Sequence, residues 1–469
     1  MDLHLDLGTD GSGGSGGRRV ALERALRDAV RSGRLAPRTR LPSTRKLAAE
    51  TGLSRGTVKA AYDQLTAEGY LTARQGSGTV VADRPAPRRK TATGGRETRT
   101  PRYDLRPGSP DVTTFPTSAW LRSSRRALSA AASGAFDYGD PRGRIELRTA
   151  LAEYLGRARG VLADPERIVI TSGYVQALSL LVGVAGRGAP PVFAMEDPGL
   201  PFHREVVRRN GGVVVPLPTD ELGARAEALA GPGDGGGGTR ADAVVVTPAH
   251  QYPTGVALHP SRRLALTAWA RETGGLIVED DYDGEFRYDR QPVGALQGMA
   301  PDQVVYVGTA SKTLGPALRL GWMVLPPQWV EPVSEAKLYT DFHTGAVGQL
   351  TLADLITGHA YDRHVRACRL RYRRRRDLLV SRLAAAEEFP LRGVAAGLQA
   401  LVGLPEDGPA EADVLRWAAR QGLALGSFSD HWHTAADDRP EGLIVGYGTP
   451  GEGAYPRALD ILARVLGTD

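Results

Sequence analysis

Apolar residues recur at helical spacing over three successive stretches near the start of the chain. In VALERALRDAVRSGRL, from residue 20, Leu22, Leu26, Ala29 and Val30 share one face and the pattern stops at Gly33, which predicts a first helix. LPSTRKLAAETG places Ser43 at a start, Leu47 and Ala48 inside and Gly52 at a stop, and Ser54 follows as a new N-cap. In SRGTVKAAYDQLTAEGYL the apolar residues Val58, Ala61, Tyr62 and Leu65 fall at i, i+3, i+4 and i+7. That leaves Arg55, Gly56, Thr57 and Lys59 at or near the free N-terminal end, the end a recognition helix turns toward base edges and phosphates. The period then drops to two on both sides of a glycine-bearing turn in YLTARQGSGTVVA, which reads as a β-hairpin and completes a winged helix-turn-helix.

Residues 83–101, DRPAPRRKTATGGRETRTP, carry no apolar periodicity and read as a connector, whose outer bound is taken as 83–109. Nineteen residues with a proline bias reach about 60 Å when extended. Beyond it, short apolar runs alternate with helical segments: RIVIT, VFAME, GVVVPLP, DAVVVTP, GLIVED, VVYVGTA and GWMVLP. Such alternation predicts a large α/β domain with a mostly parallel sheet. The expected organisation is a DNA-binding domain over 1–82, then a domain over 110–469 whose smaller α+β part starts near 365. The arginine-rich stretch HVRACRLRYRRRRDLLVSRL at 364–383 is read as a packed helix opening that part, with Val365, Leu370, Leu378 and Leu379 inward. The glycine-rich segment at 231–242 reads as a surface loop.

Charge sharpens this division. Residues 1–82 hold 13 Lys and Arg against 8 Asp and Glu (+5), and 83–101 hold 6 against 2 (+4), so the remainder of a +6 chain carries 6 − 9 = −3. The excess of positive charge sits where a polyanion would bind. With Cys368 as the one cysteine, neither a disulfide nor a cysteine metal site can form within the chain. No apolar run approaches the roughly 18 residues of a membrane span, and the opening segment shows no basic and apolar leader pattern. A cytoplasmic protein is expected.

The residues with chemistry in them cluster at predicted strand ends, where open α/β sheets bind ligands. Lys312 follows the strand VVYVG, and a lysine there can form a Schiff base with an aldehyde, as it does with pyridoxal phosphate. That cofactor needs a carboxylate to keep its ring nitrogen protonated. In GLIVEDDYD, Asp280 and Tyr282 are two apart on one strand face, so the acid can meet the ring nitrogen and the phenol the ring oxygen, while Asp281 points away. Its phosphate needs a helix N-terminus with small residues, and TSGYVQALSLL supplies Ser172, Gly173 and Tyr174. Thr309, Ser311 and Arg319 complete the cradle, the arginine as a bidentate ligand.

The series LPSTRKLA, GLSRGTVKAAYDQLTAEGYL and RQGSGTVVA resembles the winged helix of GntR-type regulators. That resemblance implies double-stranded DNA as partner, with Arg45, Ser54, Arg55, Thr57, Lys59 and the wing-tip Gly76 and Ser77 as contacts. YGDPRGRIELRTALAEYLGRARGV at 138–161, EDPGLP at 196–201, TPAHQYPTG at 247–255 and the lysine loop resemble fold-type I aminotransferases. The two in tandem resemble the MocR family of regulators over essentially the whole chain. The resemblance further implies Tyr252 at the cofactor, a head-to-tail homodimer with exchanged winged helices, an operator with two half-sites, and Tyr138 reaching the partner subunit's phosphate site.

Two positions depart from the aminotransferase pattern. Leu200 stands where an aromatic stacks on the ring, so stacking is weakened or passes to Phe202 or His203. Ile444, in EGLIVGYGTP, stands where an arginine grips the substrate α-carboxylate, and an aliphatic side chain cannot make that bidentate pair. Arg204 or a partner arginine is the available substitute. Three readings follow: a regulator whose effector is pyridoxal phosphate itself or an amine or amino acid forming an external aldimine; an aminotransferase with an accessory DNA-binding domain; and an aminotransferase fold holding no cofactor.

Overall fold

The computed structural model describes residues 15–74, 78–83, 101–186, 189–229, 240–288, 293–384, 388–434, 436 and 439–467. Two units emerge, Met1–Arg99 and Thr100–Asp469.

In the first unit, α1 (Ser15–Arg31), α2 (Thr44–Thr51) and α3 (Arg55–Ala67) precede a hairpin of β1 (Leu71–Arg74) and β2 (Gly78–Val81), with Leu71 opposite Val81. Ser43 and Ser54 cap α2 and α3, their hydroxyls accepting from the amides of Lys46 and Thr57 at 3.3 and 3.1 Å. The apolar stripe read from the sequence is the core: Leu22, Leu26, Leu47, Val58 and Leu65 are buried together. Each such side chain contributes about 1.5–3 kcal/mol by leaving water. Tyr62 is buried with them and its hydroxyl donates to the Pro42 carbonyl at 3.0 Å, tying α3 to the start of α2. The wing tip with Gly76 and Ser77 lies outside the described residues.

The second unit begins with β3 (Tyr103–Asp104), within the stretch assigned to the connector. Leu105 is fully buried in the core of the smaller subdomain, because its neighbours satisfy their backbone groups there rather than in water. Residues 103–105 thus belong to the packed second unit. Next come β4 (Ile168–Thr171), β5 (Val192–Asp197), β6 (Val213–Asp220), β7 (Gly223–Ala224), β8 (Ala243–Val246), β9 (Leu276–Asp280), β10 (Val304–Thr309) and β11 (Gly321–Val324). They form one sheet in the order 4-11-10-9-8-5-6-7. Strands 10-9-8-5-6 are parallel, and β11 runs antiparallel to both β10 and β4. Buried on both faces, β8, β9 and β10 need the continuous Val, Ile and Leu runs that the sequence provides, whereas β6, toward the sheet's edge, buries only Leu217.

The smaller subdomain holds β12 (Leu391–Arg392), β13 (Gln399–Gly403), β15 (Gly426–Ser427) and β16 (Gly442–Gly446), ordered 12-13-16-15, while β14 (Leu423–Ala424) pairs with β3. Its opening helix, Ala360–Leu383, buries Val365, Cys368, Tyr372, Arg375, Leu379 and Leu383. Leu370, expected inward, is 57 % exposed, since the buried stripe recurs at three and four residues and passes it by. Arg375 is buried by pairing with Asp111 at 2.7 Å and donating to the carbonyls of Tyr447 and Gly448.

Candidate functional site

Strand ends β8, β9 and β10 open on a cavity of about 260 Å³. Lys312 reaches it from the loop after β10, and Asp280 from the last position of β9. Burial raises the Asp280 carboxyl well above its ordinary range, and the Lys312 cation opposes that. Burial lowers the Lys312 pKa, against Asp283 and Asp280, which favours the unprotonated amine a nucleophilic lysine needs. Lys312 Nζ donates to the Gly108 carbonyl, which also lines the cavity.

Alternation along the strand separates the three acids after Glu279. Asp280 faces the cavity, whereas Asp281 turns into the interior and pairs with Arg159 at 2.6 and 3.0 Å, accepting also from the Tyr306 hydroxyl at 2.7 Å. Tyr282 returns to the cavity. Its hydroxyl accepts from Gln399 Nε2 at 2.8 Å and lies 3.0 Å from His250 Nδ1, which is held in turn by Asp283 at 2.9 Å. Tyr252 lies edge-on to Tyr282 at 6.1 Å, with its hydroxyl 3.2 Å from His431 Nε2.

At the other end, Gly173 opens the helix Tyr174–Ala185 with φ +104°, and a Cβ there would lie 3.1 Å from the Arg319 guanidinium. Only glycine permits both that conformation and that approach. Arg319 itself sits at φ 52°, in the left-handed region, a costly conformation for a non-glycine residue that points its head back at the helix start. The Thr309 hydroxyl bridges to Ser311 at 2.8 Å. Ser172 and Arg319 also border an adjoining cleft with His343 and Thr344. Tyr138 is 77 % exposed and packs on Phe342 at 4.7 Å, outside its own chain's cavity.

Of the two stacking candidates, Phe202 points outward at 58 % exposed, and His203 lines the cavity. Its ring stacks on Tyr174 at 4.4 Å, and Nδ1 is 4.0 Å from Asp280. Burial, reinforced by the Lys312 cation, pushes the imidazole pKa down to about 3, so it is neutral at pH 7. The Tyr174 hydroxyl is buried without a hydrogen-bond partner among the described residues. Ile444 is fully buried against Leu401 and Phe428. Arg204 donates to the carbonyls of Gly199, His431 and Trp432 at 3.0, 2.8 and 3.0 Å, so the substitute carboxylate clamp considered from the sequence is committed to the backbone.

Several participants escaped the sequence reading. Glu196 borders the cavity, its pKa raised to about 7 by burial against the hydrogen bonds of Thr247. Glu196, Thr247 and His250 lie in or beside the EDPGLP and TPAHQYPTG stretches, whose resemblance was noted without assigning these roles. Gln399 and Gly108 carry no motif signal.

In the first unit, Arg45 and Arg55 are exposed near the N-termini of α2 and α3, with no ion-pair partner among the described residues. Ser54 and Thr57 share a hydroxyl hydrogen bond at 2.8 Å, and Lys59 pairs with Asp63 at 2.6 Å along α3.

These features define a fold-type I aminotransferase domain carried behind a winged helix. Residues 106–423 match the family described as "Aminotransferase class I and II", and 19–81 match "Bacterial regulatory proteins, gntR family". A Pyrococcus horikoshii kynurenine aminotransferase, solved with PMP, is similar with TM-score 0.69 and 27 % identity over 79 % of this chain and 92 % of that one. The pyridoxine biosynthesis transcriptional regulator PdxR of Corynebacterium glutamicum is 34 % identical over 92 % of both chains. The probable rhizopine catabolism regulatory protein MocR of Rhizobium meliloti is 32 % identical over 90 % of this chain and 88 % of its own. The chain belongs to the family of MocR-type transcription regulators, which join a GntR helix-turn-helix domain to an aminotransferase class I and II domain. Members of that aminotransferase fold family bind pyridoxal phosphate.

Proposed function

We propose that this regulator takes pyridoxal phosphate on Lys312 and that the cofactor is itself the effector, so that DNA binding reports vitamin B6 supply. One observation supports the reading: Lys312, Asp280, Tyr282, Thr309, Ser311 and Arg319 line one cavity, whose other arginine, Arg204, is tied to backbone carbonyls. Bound there, the cofactor supplies an aldehyde that condenses with a primary amine.

The residues present fit that group. Arg319, Ser172, Gly173, Thr309 and Ser311 would hold the phosphate, Asp280 the ring nitrogen, Tyr282 and Tyr252 the ring oxygen side, and Tyr174 with His203 one ring face. The orphaned Tyr174 hydroxyl supports this, because a buried donor without a partner costs about 1–3 kcal/mol unless a ligand satisfies it. An α-amino acid gains no charge-assisted pair for its carboxylate here. An amine lacking that carboxylate is the second reading, favoured by Glu196 at the cavity wall.

On the DNA side, Arg45, Ser54, Arg55, Thr57 and Lys59, with the wing-tip Gly76 and Ser77, would contact an operator of paired half-sites. We take the molecule to be a cytoplasmic head-to-tail homodimer with exchanged winged helices and Tyr138 completing the partner subunit's phosphate cradle. The exposed Tyr138 and Phe342 beside the Arg319 cleft support that assembly.

The test is affinity for DNA upstream of the protein's own gene, on cofactor-free protein at fixed salt, with and without pyridoxal phosphate. A change in affinity or footprint that Lys312→Ala abolishes is the expected result. Binding indifferent to pyridoxal phosphate refutes it as the effector.

A further inference from the structure

Residues 103–111 form a strap between the two parts of the aminotransferase-like unit. Its N-terminal half belongs to the smaller subdomain: the amides of Tyr103 and Leu105 donate to the carbonyls of Gly422 and Ala424 at 2.9 and 2.8 Å, and the Leu105 carbonyl accepts from Gly446 at 2.6 Å. Its end is equally held. The Thr449 hydroxyl lies 3.2 Å from the carbonyls of both Arg106 and Ser109, and Asp111 pairs with buried Arg375. Between these anchors, Pro107 and Gly108 cross the cavity wall, and the Gly108 carbonyl accepts from Lys312 Nζ. Lys312 belongs to the large sheet's loops. That single bond therefore joins the cofactor lysine to a segment otherwise fastened to the smaller subdomain.

Gly108 has φ +112°, yet a Cβ there would meet nothing within 4 Å. Crowding does not demand glycine at this position. The backbone conformation does, and it sets where the carbonyl points.

We infer that Gly108 is a positioning residue that docks Lys312 Nζ, so the strap, and with it the chain leading back to the connector, senses whether that nitrogen is free. The inference rests on Lys312 being the cofactor lysine. Condensation forms a carbon–nitrogen double bond at the aldehyde carbon, breaks its carbon–oxygen bond and releases one water. Two protons of the lysine nitrogen leave with the aldehyde oxygen as that water, and at most one remains. Held to the aldehyde carbon by a planar double bond, the nitrogen no longer turns its remaining proton to Gly108, and the strap loses its tie to the large sheet. An amine that later displaces the lysine restores the free nitrogen, and the tie returns.

Amide hydrogen exchange over peptides spanning 103–111, on the full chain stripped of cofactor, tests this. Pyridoxal phosphate should speed exchange about fivefold, the change that follows loss of one ordinary hydrogen bond. Pyridoxamine phosphate, which fills the same site with an amine in place of the aldehyde and cannot capture Lys312, should leave exchange slow. Lys312→Ala should exchange fast with either compound or neither. In Gly108→Ala, pyridoxal phosphate should still give a visible absorbance band while the strap no longer responds; should that variant fail to fold, Lys312→Ala and the two-compound comparison carry the test. Equal responses to the two compounds, or a strap unchanged by Lys312→Ala, overturn the inference. DNA affinity measured on the same samples is separate: a responsive strap with indifferent DNA binding refutes the effector reading alone.

Discussion

Replacing Arg159 by methionine tests what orients the cofactor-site acid. Arg159 and Asp281 are 5 % and 1 % exposed, joined by two hydrogen bonds. Their pairing keeps Asp281 turned inward at the end of β9, which leaves Asp280 facing the cavity. Without the guanidinium, Asp281 keeps the Tyr306 hydroxyl but loses its counter-charge, and Glu285 and Glu279 stand nearby. Removing one partner of a buried pair costs about 3–5 kcal/mol, because the other charge stays behind uncompensated. All six tryptophans, from Trp120 to Trp432, lie in the second unit, so tryptophan fluorescence during denaturant unfolding reads that unit alone. Arg159→Met combined with Asp281→Asn should recover part of the lost stability, giving a coupling of at least about 1 kcal/mol. A single variant within about 0.5 kcal/mol of the parent, or a double variant no better than the sum of the singles, refutes the argument.

Three further outcomes are expected. Arg55→Ala should weaken operator binding by about 1–3 kcal/mol while leaving the pyridoxal phosphate absorbance intact, checked by titration of both ligands. Glu196 has a folded pKa of about 7 against an ordinary 4.5, so the native state binds more protons than the unfolded one in that window; stability should fall as pH rises from 4.5 through 7, and less steeply in Glu196→Gln, by unfolding midpoints across that range. If Tyr138 serves the partner subunit's site, Tyr138→Ala and Lys312→Ala proteins, each weak in cofactor binding, should on mixing yield hybrids with one intact site, seen as recovered tight pyridoxal phosphate binding by titration.

The α/β unit was legible because its central strands are buried on both faces and announce themselves as unbroken apolar runs, and the strand ends then located Lys312, Asp280 and Tyr282. The winged helix was legible from period and caps, since Ser43 and Ser54 mark helix starts by a local hydrogen bond. What escaped depends on helix phase or on distant backbone. Phe202 and His203 are adjacent aromatics, and only the turn of the helix Pro201–Arg209 sends one to solvent and the other inward. Arg204 looked like a free cation because carbonyls 227 and 228 residues away leave no trace in local sequence. Gly108 was folded into the connector for the same reason: polar, proline-bearing chain reads as loop even when its amides pair with a remote strand.

The three backbone bonds of Arg204 also bear on how readily this receptor could change its ligand. In an open pocket, a new carboxylate specificity needs one basic side chain in reach. Here Arg204, which lines the cavity, already fastens residues 431 and 432 to the turn at Gly199, so turning it toward a ligand would unfasten the wall that shapes the cavity. An arginine introduced at 444 would have to enter a fully buried apolar cluster. On the proposed reading, acid recognition would need at least two coordinated changes, a barrier of architecture rather than of any single residue.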